Sequence, residues 1–543
     1  MLKRWLSLSV LLPILGFFAL VLAMTGWSIR GLPLDAVIFK SVGVLGAGGE
    51  YAEPTKWRPN AWLEAARWTG ILFFILTAYK AFGLLVSTRL RVFRYQIAKR
   101  DIVLVGDAVI FADLSAALEA KRGRVLWLSG GAVPECKNHI PSDCDKKSFK
   151  QFRLNHARLV IVCFESDDSK ALTAARDISS LNINGRVILF NLTFTSGTVF
   201  RRAIKECPVQ VSSPTHATLR TANLQHPPFL KASELGHERL HALIIGCGDT
   251  GEQVFIDLIL SCRTTFLGKP LITIVDPRAT EIQASFAARY PEVANSVDLQ
   301  WITSPGSEDA RALPCEKLAE AAKYYPVSVA YVCLRGDRKS LAAAVTLSSI
   351  LPQINAAGST IYVHQQSSVM LRDGTDTLES DIIPFGTAND IIKGLGLLEQ
   401  DYDKLPKALH NAHNAARQRS NEFTSSVVVD WLGLPESIRE ANRSVLSHIP
   451  AKIASAAHEL GLKPGSTNML IEAVKVPTVL ERLASLEHQR WEADRHLAGW
   501  RYAATRDDSK RLHSDLVAYN RLSEQSREYD RQIVRMVAAA NLL

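Results

Sequence analysis

Three glycines in "GCGDTG" (Gly246, Gly248 and Gly251) follow the apolar run "HALII" and lead into a helix-like segment. That spacing suits a phosphate-binding turn. The first glycine permits the turn, the second lets backbone approach a pyrophosphate, and the third lets helix and sheet sit close. Asp249 and Thr250 occupy the start of the helix, whose exposed N–H groups would face the phosphates. The next apolar run, "PLITIVD", ends in Asp276, placed to accept hydrogen bonds from ribose hydroxyls. An acid there favours an NAD-like over an NADP-like ligand, and Arg278 weakens that preference. The expected ligand is NAD or a related nucleotide. No hydride-transfer partner accompanies it: His364 stands near the end of "STIYVHQQ", and no His–Asp or Ser–Tyr–Lys arrangement follows. The pocket therefore reads as regulatory, with no catalytic residue.

A second chemical cluster lies in "LASLEHQRWEADRHLAGWRYAATRDDSKRLHSDLVAYNRLSEQSREYDRQIV", Leu483 to Val534. Leu483, Glu487, Trp491 and Arg495 recur every four residues, and His488 joins Trp491 and Arg495 on a neighbouring face. Gly499 fits a helix C-cap, with Trp500 and Tyr502 after it. His488, Trp491, Arg495, Trp500, Tyr502 and Arg506 are the candidate ligand residues. Their rings can stack a base and their guanidinium groups can hold phosphate. An aromatic core with surface ion pairs is the competing reading.

These clusters need elements to hold them. With 543 residues the chain has room for about three or four domains. Its 47% hydrophobic and 22% charged content is ordinary for globular structure. The 63 Lys+Arg against 54 Asp+Glu leave a net charge of +9, much of it in one stretch, so no nucleic-acid partner is expected. The 8 cysteines are scattered without a CxxC pair, which fits a reducing compartment. In "CKNHIPSDC", Cys136 and Cys144 flank His139, but no second ligand pair lies nearby and no metal site is expected.

"WLSLSVLLPILGFFALVLAMTGW", Trp5 to Trp27, is uncharged and long enough to cross a bilayer. A second run, Trp68 to Thr88, contains Lys80, costly in hydrocarbon unless it snorkels or faces a polar interior. Two runs argue against a cleaved signal peptide. Lys3 and Arg4 precede the first run, and Arg89, Arg91, Arg94, Lys99 and Arg100 follow the second. Basic flanks on both sides place both termini, and the soluble domains, in the cytoplasm of an inner-membrane protein. The loop between the runs combines an apolar start at Leu34 with Gly43, Gly46, Gly48 and Gly49. Its glycines resemble a backbone ion filter, but "VGVLGAGGEY" does not supply the potassium-type sequence.

After the basic flank, strand and helix patterns alternate as a parallel sheet requires. The first unit carries Gly106, but Ala108 and Phe111 stand where further glycines belong, and its second strand ends in Ser129 and Gly130. It reads as a unit that keeps the fold and has lost or altered the site. The organisation expected is a two-span membrane domain over 1–100, a degenerate Rossmann domain over 101–238, an intact one over 239–400 and a helical module over 401–543.

Two membrane runs followed by tandem Rossmann units resemble the TrkA-N, or RCK, regulators of potassium conductance and transport, over roughly Leu6 to Gly394. "GCGDTG" and Asp276 carry the resemblance, which departs at the first glycine turn and the filter-like loop. The C-terminal stretch resembles the RyR (ryanodine-receptor repeat) domain, with a pattern close to EHxxW…GWxYG…R…HPxL…Y…L…K…YD. Glu487, His488, Trp491, Gly499, Trp500, Tyr502, Arg506, His513, Leu516, Tyr519, Leu522, Tyr529 and Asp530 match it. Ala503, Ser514 and Arg527 depart from it. Leu434, Pro435, Arg439, Asn442, Arg443 and Lys452 resemble the half that often precedes this motif. The resemblances imply an α/β chain with two transmembrane helices, tandem Rossmann-like domains and an α-rich RyR module. They further imply a nucleotide-sensing regulator or ligand-gated channel-like effector, with cation conductance and anti-phage nucleotide signalling as its finer forms. Homo-oligomers follow, because two spans per chain cannot enclose a pore. A membrane-anchored NAD-dependent enzyme, or a scaffold whose RyR module recruits a partner, are the alternatives.

Overall fold

A computed structural model describes residues 8–45, 60–97, 101–399, 403–419 and 431–540, apart from 122, 132–135, 137, 166, 182, 205–206, 305–312, 355, 367–380, 432–433, 435 and 464–467. Gly46, Gly48 and Gly49 of the filter-like loop, Lys3, Arg4, Lys99, Arg100 and Pro435 lie outside the described residues. The chain forms two compact units, Met1–Ala98 and Lys99–Leu543.

The N-terminal unit contains α1 (Leu8–Ile29), α2 (Leu34–Leu45) and α3 (Ala61–Ile97). Two segments, Leu11–Ile29 and Ala61–Phe82, are long and apolar enough to cross a bilayer. The second begins seven residues before the expected Trp68, because Ala61–Arg67 continue the same helix. Leu22, Trp27, Val37, Val44, Leu63 and Ala66 form the shared core of the hairpin. Gly70 lets α2 approach α3: a Cβ there would lie 2.5 Å from the Val44 carbonyl oxygen. Phe17, Phe39, Trp68 and Phe82 point outward, at 69%, 82%, 65% and 66% exposure, a surface suited to lipid.

The second unit holds two six-stranded parallel sheets. The first contains β1 (Ile102–Val105), α4 (Ile110–Ala120), β2 (Val125–Ser129), β3 (His139–Pro141), β4 (Leu159–Val162), β5 (Arg186–Phe190) and β6 (Gln210–Ser212), and α5 (Pro214–Gln225) follows it. The second contains β7 (Arg239–Ile245), α6 (Asp249–Ser261), β8 (Gly268–Asp276), α7 (Ala279–Arg289), β9 (Asp298–Thr303), β10 (Val329–Val332), β11 (Thr360–His364) and β12 (Ile382–Phe385), followed by α8 (Ala388–Gly394). The strand orders, β3-β2-β1-β4-β5-β6 and β12-β11-β10-β7-β8-β9, are the doubly wound Rossmann order twice over. Central strands such as "IVLV" and "LVIV" are buried on both faces, which is why they read as unbroken apolar runs.

The two halves trade their last helices. Asn223 of α5 donates to Asp257 of α6 at 2.7 Å and accepts from the Tyr331 hydroxyl at 2.7 Å. In return Ala388, Ile391 and Ile392 of α8 enter the core of the first sheet. Each sheet is thus completed by the other's connection.

The C-terminal region contains α9 (Lys404–Arg419), α10 (Glu436–Ser447), α11 (Ile449–Glu459), α12 (Pro477–Leu497), β13 (Arg501–Tyr502), β14 (Leu512–His513) and α13 (Glu524–Ala540). Leu409, Val445, Ala456, Leu483, Leu486 and Val534 tie its helices into one core. A second core continues into the Rossmann half: Ala451, Ala454 and Ala493 pack with Val254, Phe255 and Leu258 of α6.

Candidate functional site

The glycine turn assigns each glycine a different task. Gly246 has φ +87°, and a Cβ there would lie 3.0 Å from the Cys333 carbonyl oxygen. Gly251 allows α6 to sit on β7, since a Cβ there would lie 2.2 Å from the Gly246 carbonyl oxygen. Among the described residues nothing lies within 4 Å of a Cβ built on Gly248, which leaves room for a ligand. Gly248 is also the N-cap of α6, and as a glycine it offers no side chain to cap the helix, whose N-terminus carries partial positive charge that suits an anion.

Asp276 ends β8 where the sequence places it. Its Oδ2 accepts from the Cys247 N–H at 2.9 Å and its Oδ1 from the Arg278 N–H at 2.8 Å. The carboxylate thereby closes the turn, and each oxygen keeps a further lone pair for a ribose hydroxyl. Glu252, in the first turn of α6, is neutralised by Arg289 and accepts a hydrogen bond from the Tyr290 hydroxyl, 2.5 Å away. Asp249 is exposed in that same turn and Thr250 half-buried beside it, so Asp249 sets a like charge next to any phosphate bound there. His364 is buried, and burial lowers its pKa to about 4. It packs on Phe385 of the neighbouring strand, with ring centroids 5.4 Å apart.

In the first half the corresponding turn has an occupant of its own. Gly106 has φ +124°, and a Cβ there would lie 1.8 Å from the Cys163 carbonyl oxygen. Phe111 is fully buried against Trp127 and Phe190, with ring centroids 6.1 and 6.5 Å away. At the start of α4, the Glu165 carboxylate accepts from the Val109 N–H at 3.0 Å, and Asp107 accepts from the Glu165 N–H at 3.0 Å. A carboxylate of the chain sits where an anionic ligand would meet the helix. His139 bonds Ser129 at 2.8 Å, and no group of metal-ligating side chains occurs among the described residues.

The RyR-like cluster separates into a framework and a face. Glu487 and Lys452 are both fully buried, 2.7 Å apart, and Arg490 donates to Glu487 at 2.9 and 3.0 Å. Arg443 grips Asp403 through two bonds of 2.8 and 2.9 Å. His488, one of the expected ligand residues, is placed in the framework. Only 2% exposed, it meets Asp530 at 3.1 Å through Nδ1 and the Val517 carbonyl at 2.9 Å through Nε2. Its ring supports Trp491 from behind, stacked at 5.5 Å.

The face comprises Trp491, Arg495, Trp500, Tyr502, Arg506 and His513. The Arg495 guanidinium lies over both indoles, 5.8 Å from Trp491 and 5.5 Å from Trp500. Its Nε makes no hydrogen bond among the described residues. Tyr502 is 58% exposed beside it. Arg506 is exposed and pairs with Asp508 at 2.6 Å, a surface bridge easily exchanged for a ligand's phosphate. His513 was not among the expected ligand residues, although the pattern contains it. Its ring meets Trp491 at 5.0 Å and Trp500 at 6.0 Å. Its Nδ1 accepts from the Asp515 N–H at 3.1 Å, which leaves Nε2 as the donor. Burial and the Arg506 charge lower its pKa, keeping the ring neutral.

His488 gives a pH dependence of definite sign. Burial opposes its charge, but the bond and charge of Asp530, the Glu492 charge and the Val517 carbonyl together outweigh burial and raise its pKa above 6.5. Stability from this pair is present below the ordinary histidine value and is lost as pH rises through the raised one. Melting temperature should fall between neutral and mildly alkaline pH, and a His488→Gln variant should lose that slope.

Residues 464–540 match the RyR domain family. The helices α10 and α11, which precede that span, share its core. Among solved structures, the chain is similar to GsuK bound to ADP, at 15% identity over 73% of this chain and 96% of that one, with a TM-score of 0.36. It is similar to the GsuK channel bound to NAD at 13% identity, over 75% and 85% of the two chains, with a TM-score of 0.33. It is also similar to the GsuK RCK domain at 12% identity, over 56% and 77%, with a TM-score of 0.37. The chain thus carries two apolar helices long enough to span a membrane, two Rossmann-type parallel sheets and a C-terminal RyR domain.

Proposed function

We propose that the chain is a nucleotide-sensing regulator anchored by α1 and α3, in which ligand at the glycine turn, the aromatic face or both controls the membrane unit. One observation carries this reading. The helix that begins at the glycine turn, α6, packs directly on α12, which bears Trp491 and Arg495. Phe255 and Leu258 from one and Ala493 from the other share a core. Close-packed interiors transmit a shift rather than absorb it, so two ligand sites on one core are mechanically linked. A ligand acts by binding one packing better than another. The finer form is a ligand-gated cation conductance formed by a homo-oligomer in the inner membrane, with both termini cytoplasmic and phage-triggered nucleotide signalling as its setting. The ligand is NAD or a related nucleotide, bound without turnover.

Full-length protein in liposomes tests this. Potassium flux should change on adding NAD or ADP, and the change should vanish in Arg495→Ala or Gly248→Trp. In detergent, Trp500→Ala should weaken nucleotide binding about 5- to 150-fold, the loss of one stacked base worth roughly 1–3 kcal/mol. Consumption of NAD without any flux would replace this reading by the enzyme one.

A further inference from the structure

A cavity of about 440 Å³ opens between the second Rossmann half and the RyR helices, apart from both the glycine turn and the aromatic face. Its Rossmann wall is the segment from Arg263 to Lys269, between the end of α6 and the start of β8. Its other wall is Glu459 at the end of α11 with Arg482, Ser485 and Gln489 on one face of α12. The size falls within the roughly 300–1,000 Å³ of small-molecule sites.

Three of these lining residues hold buried polar atoms with no hydrogen-bond partner among the described residues: Arg263 Nε, Thr265 Oγ1 and Glu459 Oε1. An unsatisfied buried polar group costs roughly 1–3 kcal/mol, and these three belong to residues that line one cavity. The Glu459 side chain is only 8% exposed, and its other oxygen pairs with Arg482 at 2.6 Å. Arg263 spends its terminal nitrogens on neutral acceptors, Gln489 at 2.9 Å and the Ser296 carbonyl at 2.6 Å, and makes no ion pair among the described residues. Burial accordingly lowers its pKa. Lys269 and Arg482 also line the space, paired with Asp298 at 2.8 Å and with Glu459, so Arg263 is the lining cation without a carboxylate partner among the described residues and favours an anion. The donor on Arg263 fits a phosphate oxygen, whereas Glu459 Oε1 needs a donor such as a hydroxyl.

From this juxtaposition we infer that the cavity between the Rossmann half and the RyR helices binds a small phosphorylated polyol, such as a sugar phosphate or the ribose-phosphate part of a nucleotide. Phosphate meets Arg263 and Arg482, and a hydroxyl meets Glu459 and Thr265. The ligand bridges the two domains and stiffens their seam, where the Thr265 N–H donates to Ser455 at 3.1 Å and His448 meets the Arg263 carbonyl at 2.9 Å.

The test is calorimetric titration of the full-length protein in detergent with ribose 5-phosphate and, separately, inorganic phosphate. Ribose 5-phosphate should bind at least tenfold more tightly than phosphate. Ser485→Tyr, which fills the cavity, should weaken it at least tenfold, and Glu459→Gln should erase its advantage over phosphate. Gly248→Trp and Trp500→Ala should leave it unchanged, which separates this site from the two of the proposed function. The inference is overturned if ribose 5-phosphate does not bind, if it binds no better than phosphate, or if binding survives both cavity substitutions. It is equally overturned if binding is lost with Gly248→Trp or Trp500→Ala instead.

Discussion

Replacing Glu487 by Gln should destabilise the second unit by about 3–5 kcal/mol, the usual consequence of removing one partner from a buried ion pair. The cost is large because Glu487 serves two cations, Lys452 and Arg490, and its loss leaves both charged and buried. Lys452→Met should cost clearly less, since Glu487 and Arg490 still neutralise each other. Thermal unfolding of the full chain in detergent would compare the two, and equal losses would refute a shared carboxylate. Acid sensitivity follows from the same residue. Burial pushes the Glu487 carboxyl up, but Arg490 and Lys452 outweigh it and hold it at about 2. Its stabilisation is complete above the ordinary carboxylate value and lost as pH falls towards 2, so wild type should acid-unfold across that window. Glu487→Gln should show a shallower acid slope.

Gly251→Val should destabilise by about 1–3 kcal/mol, and Gly248→Ala by no more than about 0.5 kcal/mol. The contrast comes from the space around each. A side chain on Gly251 runs into the Gly246 carbonyl and Ile244 Cγ2, at 2.2 and 3.3 Å, so α6 must lift off β7. Because α6 also carries the contact to α12, that movement should reach the aromatic face and weaken nucleotide binding there too. Gly248 has no such neighbour, and Gly248→Trp should keep the melting temperature while abolishing binding at the turn. Melting curves paired with NAD titrations on the three variants would decide it. A folded Gly251→Val protein with unaltered binding at both places would break the proposed link.

Much of this was legible in the linear sequence because its causes are local. The glycine spacing at Gly246, Gly248 and Gly251, the acid at Asp276 and the apolar strand runs are set by backbone sterics and burial over a few residues. The burial of Phe111 in the first half was equally plain, since a large apolar side chain at that turn has no room except in the core. The four-residue recurrence of Glu487, Trp491 and Arg495 correctly marked one helix, α12.

What chain order could not display is which residue meets which across the fold. His488 and Trp491 have similar standing in the sequence pattern, yet one is locked between Asp530 and Val517 while the other is half-exposed beside Arg495. Glu165 reaches Val109 across 56 residues, Lys452 finds Glu487 across 35, and Arg263 meets Gln489 across 226. Periodicity reports the faces of single elements, and those contacts depend on how elements are stacked. The sequence by itself determined two apolar helices, two Rossmann sheets, one open glycine turn and a RyR pattern, since each follows from short-range geometry and hydrophobicity. Only the tertiary structure decided which polar residues are framework and which form a face, because a charge becomes buried, paired or available through neighbours that lie far away along the chain.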